Sequence, residues 1–231
     1  MTPVPAIPAH PCIALIADMA RSRELVPSQR PGVQRRFQDL VVFLNKTYKR
    51  SILSKFVITL GDEFQGLLNS GTPIPDLLWD IEQRFSDRRL RVGLGFGMLD
   101  TPLQKEAINI DGPALHFARA AIETAAEKRS FGGVFLGFGE LDQVMNGIAR
   151  ILWFHRSKLT AQQFKIAELL RHGRTQSEAA QELRITRQAV SKQALASGWS
   201  AYAEAAAAWR ILFERYVNPN LEKNYAKHRR Q

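Results

Sequence analysis

The strongest constraint on the fold is a pair of helix-start signatures in the last third of the chain. Thr160 with Gln163, and Thr175 with Glu178, both fit the capping box Ser/Thr-x-x-Glu/Gln. In a capping box two residues at the start of a helix satisfy each other's free backbone N–H groups. Gly173 lies between the two signatures, where it ends the first helix. The sequence therefore predicts two successive short helices joined by a tight turn.

A third helix is predicted directly after these two. Arg184 and Ile185 form the connecting turn, and Thr186 is a suitable N-cap for the helix RQAVSKQAL. Ala189 and Val190 are expected to be buried against the preceding helix. The long or polar side chains of the third helix are expected to point outward, and these are Arg187, Gln188, Ser191, Lys192 and Gln193.

This arrangement is typical of a helix-turn-helix that binds double-stranded DNA, because small residues such as Ala179 and Ala180 let the two helices approach. Arginine suits guanine and glutamine suits adenine at the base edges, whereas Lys192, Arg174 and Arg171 suit phosphate. The predicted DNA-binding residues are Arg174, Thr175, Thr186, Arg187, Gln188, Ser191, Lys192 and Gln193. The alternative is an ordinary three-helix packing unit with a solvated basic face.

The charge of the chain is unevenly distributed. The protein has 231 residues and a formal net charge of +10. Residues 1–150 hold 18 basic and 16 acidic side chains (+2), and residues 151–231 hold 14 and 6 (+8). The excess therefore coincides with the predicted helix-turn-helix, as expected for a segment that binds a polyanion.

Composition excludes several other classes of protein. A hydrophobic content of 45% with 23% charged residues is that of a globular protein. Cys12 is the single cysteine, so an internal disulfide is excluded and a cytoplasmic location is expected. No run of eighteen apolar residues is present, which argues against a membrane partner.

The first part of the chain predicts an α+β fold. Buried strands are expected at 12–18 and 90–97, and KFVITLGDEFQGLL has the pattern of a hairpin centred on Gly61 and Asp62. Amphipathic helices are expected before the hairpin and after Pro75. The resulting β-α-β-β-α-β order is that of the ferredoxin-like arrangement, an antiparallel sheet with its helices on one face.

Acidic residues are predicted to meet at one end of this sheet. Asp18 ends the first strand, and Asp62 and Glu63 lie in the hairpin. Clustered carboxylates suit Mg²⁺ that carries a nucleotide phosphate, so these three residues are candidate metal ligands. The alternative is that Asp18 caps a turn and Asp62 is only a turn former. Arg21, Arg23 and Lys55 are candidate nucleotide-binding residues, although each is equally explained as a surface charge.

The segments IALIADMARSR, KFVITLGDEFQGLL, RVGLGFG and DGPALHFARA, in this order, resemble the palm domains of class III nucleotidyl cyclases and GGDEF diguanylate cyclases. With the C-terminal helix-turn-helix, the chain resembles the bacterial SatD family over about residues 12–200. The resemblance implies that Asp18 and Asp62 bind metal, with Glu63 a possible substitute. Cyclases carry an asparagine and an arginine where this chain has His116 and Ala120, so metal binding is better supported than cyclisation.

We therefore expect a flexible N-terminal tail at 1–11, a palm domain at 12–150, a helix-turn-helix domain at 151–217 and a basic C-terminal tail at 218–231. The predicted function is a DNA-binding regulator, active as a homodimer, whose palm domain binds a metal-nucleotide. The alternative is a Mg²⁺-dependent nucleotidyltransferase or cyclase that acts on nucleoside triphosphates.

Overall fold

The computed structural model describes residues 11–59, 61–85 and 89–217. Within them the fold is α+β, with five strands and eight α-helices. The strands are β1 (Cys12–Met19), β2 (Ile52–Ile58), β3 (Glu63–Leu68), β4 (Leu90–Gly97) and β5 (Val134–Leu136). The helices are α1 (Arg30–Thr47), α2 (Ile74–Arg84), α3 (Pro113–Glu127), α4 (Leu141–Ser157), α5 (Ala161–Arg171), α6 (Gln176–Leu183), α7 (Arg187–Ala196) and α8 (Trp199–Val217). The predicted tails lie outside the described residues, except for residue 11.

The five strands form one mixed sheet in the order β2-β3-β1-β4-β5. Neighbouring strands are antiparallel from β2 to β4, whereas β5 is parallel to β4. The sequence prediction of an antiparallel sheet is therefore wrong at this edge. The reason is that α3 connects β4 to β5 as a crossover, and a strand that follows such a crossover runs parallel to the one before it.

Helices cover both faces of the sheet, which corrects the expectation that they lie on one. In β1, Ile13 and Leu15 pack with α1, α2, α4 and α8, while the intervening Cys12, Ala14 and Ile16 pack with α3. Successive residues of a strand point to opposite faces. The alanine-rich face of α3 therefore buries the side of the sheet that the prediction left open.

Glycine residues of β4 allow α3 to lie unusually close to the sheet. A Cβ atom on Gly95 would be 2.1 Å from the carbonyl oxygen of Ala114 and 2.2 Å from the amide nitrogen of Ala118. Both are backbone atoms that no side-chain rotation can move. A Cβ atom on Gly93 would likewise meet backbone atoms of α3, one turn further along that helix. The alternation of glycine in β4 is therefore a packing requirement for α3.

Helices α4 and α8 join the main hydrophobic core. Met145 and Leu152 of α4, and Trp209 and Phe213 of α8, belong to the cluster that includes the sheet. The boundary expected after residue 150 falls within α4, and α8 returns to the sheet after the helices α5 to α7. Across the described residues, none of the helices combines the length and apolar character needed to cross a membrane.

Candidate functional site

Helices α5 and α6 begin where the capping boxes were predicted, and both boxes are confirmed. Thr160 accepts a hydrogen bond from the Gln163 N–H at 3.2 Å, and the Gln163 side chain accepts from the Thr160 N–H at 3.0 Å. Thr175 and Glu178 make the same reciprocal pair at 3.2 and 2.7 Å. These local bonds set the directions in which the two helices leave their turns.

The turn between α6 and α7 requires an uncommon backbone conformation. Arg184 has φ 54° and ψ 44°, the left-handed region that most non-glycine residues avoid. Thr186 then caps α7 by accepting from the Ala189 N–H at 3.1 Å. Ala189 itself is half-buried rather than buried. The small core under these helices consists of the buried residues Ile166, Ala179, Ala180, Val190 and Ala194.

The outer face of this three-helix unit presents most of the predicted DNA-binding residues to solvent. The exposed residues are Arg174, Thr175, Thr186, Arg187, Gln188, Ser191 and Lys192. Gln193 is half-buried. Among the described residues, Arg187, Gln188 and Lys192 have no side-chain hydrogen bond or ion pair. Long polar side chains at the N-terminal end of α7 are therefore available to an external partner.

Arg171 does not belong to this face, which corrects its expected role as a phosphate contact. Its guanidinium group lies 2.7 Å from Asp80 and 3.3 Å from Asp76, both in α2, and 3.0 Å from Glu168. The side chain is only 10% exposed. Arg171 therefore joins the three-helix unit to α2.

The predicted acidic residues do meet at one end of the sheet. In the strand register, Asp18 of β1 lies opposite Glu63 of β3 on one side and Arg91 of β4 on the other. The Met19 N–H donates to the Asp62 carbonyl at 3.0 Å, which places the hairpin end beside the end of β1. The strand pairing therefore brings Asp18 beside Asp62 and Glu63, which lie more than forty positions later in the sequence.

Two of these carboxylates already hold an arginine. Arg91 binds both oxygens of Asp18, at 2.7 and 2.5 Å, and Arg119 of α3 binds both oxygens of Glu63, at 2.6 and 3.0 Å. Burial raises the pKa of Asp18, and the Arg91 guanidinium offsets part of that rise. The described residues contain no group of three or more His, Cys, Asp or Glu side chains arranged to hold a metal ion. The acids as arranged do not fit a Mg²⁺ site.

An arginine-rich cavity lies next to these pairs. It has a volume of about 770 Å³ and is lined by Ala20, Arg21, Glu24, Arg89, Arg91, Ala126, Arg129 and Phe131. Arg21 was a predicted nucleotide-binding residue, whereas Arg89, Arg91 and Arg129 were missed. The signal for two of them was the alternation Arg-Leu-Arg at the start of β4, which places both arginines on one face. Lys55 is exposed on the edge strand β2 and does not line the arginine-rich cavity. The Arg23 side chain lies outside what the structure describes.

The fold and these sites define an α+β protein with an arginine-lined cavity at one end of its sheet and a compact three-helix unit with a polar outer face. A family model described as the SatD family matches residues 12–210. The chain therefore belongs to the SatD family. Among curated proteins no match is found.

Solved structures give weak likenesses. A bacterial light-regulated adenylyl cyclase matches with 14% identity and a TM-score of 0.45, over 58% of this chain and 44% of its own. A regulator of polyketide synthase expression from Bifidobacterium adolescentis matches with 14% identity and a TM-score of 0.27, over 90% and 82%. This chain thus spans less than half of the cyclase chain. TM-scores this low do not assign a function.

Proposed function

We propose that this SatD family protein is a DNA-binding regulator in which α5, α6 and α7 form a helix-turn-helix. The observation that carries the proposal is the N-terminal end of α7, where the exposed Arg187 and Gln188 have no side-chain partner among the described residues. The opposite side of α7 packs on a compact apolar core. A recognition helix needs these two properties together, since it must pack closely on one side and reach base edges on the other. In the same proposal the β-α-β-β-α-β part of the sheet domain is a ferredoxin-like palm that binds a nucleotide.

Within the helix-turn-helix we assign different roles to the exposed residues. Arg187 and Gln188 are in the first turn of α7 and suit base edges, where arginine favours guanine and glutamine favours adenine. Arg174, Thr175, Thr186, Ser191 and Lys192 suit phosphate or sugar contacts. Gln193 is half-buried and is better suited to supporting α7 than to reading a base.

The three-helix unit is physically connected to the sheet domain, which supports a regulatory function. Arg171 of α5 pairs with Asp76 and Asp80 of α2, and Arg210 of α8 lies 2.6 Å from Asp76. Arg156 of α4 pairs with Glu82, which also belongs to α2. A ligand that shifts α2 or its neighbours would thereby change the position of α5. We propose that nucleotide binding alters DNA affinity through these contacts.

The proposal is tested by binding duplex DNA over a series of salt concentrations. Affinity should fall steeply as salt rises, because each neutralised phosphate releases condensed counterions. Arg187→Ala should lower affinity for a preferred site by about 1–3 kcal/mol and relax sequence preference. Lys192→Ala should weaken binding to all sequences alike and reduce the salt slope by about one.

The control for both variants is Arg150→Ala, which removes the same charge from an exposed position of α4. It should leave DNA affinity within a factor of about two. Absence of duplex binding at low salt, or an equal loss in Arg150→Ala, would reject the helix-turn-helix proposal. Sedimentation of the protein with and without DNA tests the expected homodimer, since such regulators commonly bind as symmetric pairs.

A second candidate is Mg²⁺-dependent nucleotidyl transfer, which is favoured by the convergence of Asp18, Asp62 and Glu63. It would require Arg91 and Arg119 to release the carboxylates they now hold. Pyrophosphate release from nucleoside triphosphates with Mg²⁺ tests this candidate. Activity that is lost in both Asp18→Asn and Asp62→Asn would support it, whereas equal background in wild type and variants would reject it.

A further inference from the structure

The arginine-rich cavity has the charge that a phosphorylated ligand requires. Arg21, Arg89, Arg91 and Arg129 face it against a single acid, Glu24, which leaves a net charge of +3 on the lining side chains. Among the described residues, Arg89 and Arg129 have no carboxylate partner. Asp18 compensates Arg91, and Glu24 lies 3.9 Å from Arg21. The guanidinium groups of Arg89 and Arg129 are therefore the ones whose charge an anionic ligand would compensate.

Two of these arginines are held in place by neighbours. Asp18 binds Arg91 through both oxygens and fixes its direction. Arg89 lies 5.2 Å from the ring centre of Phe131 and 5.7 Å from that of Trp153, distances at which an aromatic ring attracts a cation. Pairing to rings leaves the hydrogen-bond donors of Arg89 free for a ligand, since a ring face takes up none of them.

The other two arginines of the cavity, Arg21 and Arg129, have an uncommon backbone conformation. Arg21 has φ 60° and Arg129 has φ 48°, in the left-handed region that costs non-glycine residues about 1 kcal/mol or more. Both residues line the same cavity although they are more than a hundred positions apart. Such local strain is concentrated at binding sites, where it holds a side chain in position before the ligand arrives.

A second cavity, of about 620 Å³, shares Arg89 and Phe131 with the first. Its lining includes the apolar side chains of Leu90, Trp153, Leu159 and Phe164. Gly132 supports this wall, because a Cβ atom there would lie 2.2 Å from the Cβ of Trp153. A cationic cavity beside an apolar, aromatic one matches a ligand with phosphate groups at one end and a planar ring at the other.

We infer that the two cavities together form a nucleotide site in which Arg21, Arg89, Arg91 and Arg129 bind the phosphates and the walls near Phe131 and Trp153 contact the base. The inference rests on the proposed nucleotide binding by the sheet domain and assigns the phosphates to arginines beside the predicted metal ligands, not to the carboxylates themselves. Arginine supplies the positive charge that a protein-bound metal would otherwise provide, so binding should persist without Mg²⁺. The second cavity also includes Ala161, Phe164 and Lys165 of α5, so the ligand would contact the first helix of the three-helix unit.

Calorimetric titration of the full chain in EDTA tests the site, with the four ribonucleoside triphosphates and inorganic triphosphate as probes. At least one nucleotide should bind, and Arg89→Ala and Arg129→Ala should each weaken it about tenfold or more, because each removes charged hydrogen bonds to phosphate. Trp153→Leu should weaken binding of the nucleotide and leave the affinity for inorganic triphosphate unchanged. Arg150→Ala, an exposed arginine outside both cavities, should bind as wild type does.

The outcomes separate this inference from the proposed function. Nucleotide binding that survives both arginine substitutions would overturn the site and leave nucleotide binding in place. Absence of binding by every probe in EDTA would overturn the inference, and DNA binding by the same sample would show that the helix-turn-helix proposal stands independently. Circular dichroism of each variant identifies a substitution that unfolds the chain, and Arg129→Lys then replaces Arg129→Ala, with a smaller loss of affinity expected.

Discussion

Charged side chains behave differently at the contact between α2 and the C-terminal helices and on the outer face of α7. At the α2 contact they are buried and paired, as in Arg156 with Glu82 and Arg171 with Asp80. On α7, Arg187 and Lys192 are exposed and have no partner among the described residues. Similar residue types therefore serve two purposes, and the surroundings decide which.

The difference follows from the cost of removing a charge from water. A buried charge is stable only when an opposite charge and hydrogen bonds compensate it, so its loss leaves an uncompensated partner. An exposed charge is solvated by water and adds little to folding. Paired charges should therefore be recognised by effects on stability, and unpaired ones by effects on binding.

The largest effect is expected for Arg156→Met. The Arg156 side chain is 4% exposed and bonds to both Glu82 oxygens, at 2.8 and 2.6 Å, and to the Tyr202 hydroxyl at 2.8 Å. Its removal should lower the free energy of unfolding by about 3–5 kcal/mol, because Glu82 is left without its counter-charge. Urea denaturation followed by circular dichroism measures the change.

The matched comparison for this variant is Arg187→Ala on α7. It should change the unfolding free energy by no more than about 0.5 kcal/mol. Adding Glu82→Gln to Arg156→Met should recover part of the loss, since the orphaned charge is then removed. Equal effects of Arg156→Met and Arg187→Ala on stability would contradict the distinction between the two regions.

An intermediate effect is expected at the end of the sheet, for Arg119→Met. Arg119 is 44% exposed, but its partner Glu63 is only 9% exposed. Loss of the guanidinium leaves Glu63 with Thr59, which donates to it at 2.9 Å. The expected destabilisation is about 1–3 kcal/mol, as for a buried polar group that loses its partner. Thermal unfolding of Arg119→Met and of the double variant Arg119→Met/Glu63→Gln tests this. If the double variant recovers none of the lost stability, the ion pair between Arg119 and Glu63 does not account for the loss.

The smallest effect concerns pH and the start of α6. Hydrogen bonds from the Thr175 backbone and side chain lower the pKa of Glu178 from its ordinary value of 4.5. Since the folded-state pKa is below the unfolded one, this stabilisation is fully present above pH 4.5 and is lost as the pH falls through the lowered value. Glu178→Gln keeps an acceptor for the Thr175 N–H but does not titrate.

The measurement for this pH effect is the melting temperature of wild type and Glu178→Gln between pH 6 and pH 3. The difference between the two proteins should shrink towards low pH. A difference that is constant over this range would show that the charge of Glu178 does not contribute to the start of the helix.

Much of the local structure could be predicted because its causes are local. The capping boxes at Thr160 and Thr175 bond residues only three positions apart, so the starts of α5 and α6 follow from four side chains. The nearly continuous apolar run of β1 and the three- and four-residue spacing in α1 likewise predict each element without knowledge of its neighbours. The roles predicted for the residues of α7 are not tested by the fold and stay predictions.

The errors concern contacts between residues far apart in sequence. In the sequence, Arg171 and Arg174 are equally good candidates for phosphate contacts. In the structure, Asp76 and Asp80 of α2 pair with Arg171 and not with Arg174. The sequence predicted helices on one face of the sheet only, whereas α3 covers the opposite face, where Gly93 and Gly95 allow its backbone to approach closely. No sequence pattern connects Arg89 with Arg129, and only the folded structure shows that both line one cavity.

The sequence alone therefore determined which segments are helices and strands, where three of the helices begin, and which third of the chain carries the excess positive charge. Periodicity, capping and composition act over a few residues, and each can be recognised from the sequence. The tertiary structure decided which charges are paired and which are free, because pairing depends on distances across the fold. It placed arginines on the acids predicted to bind metal, and it gathered others around the cavity where we infer that a nucleotide binds.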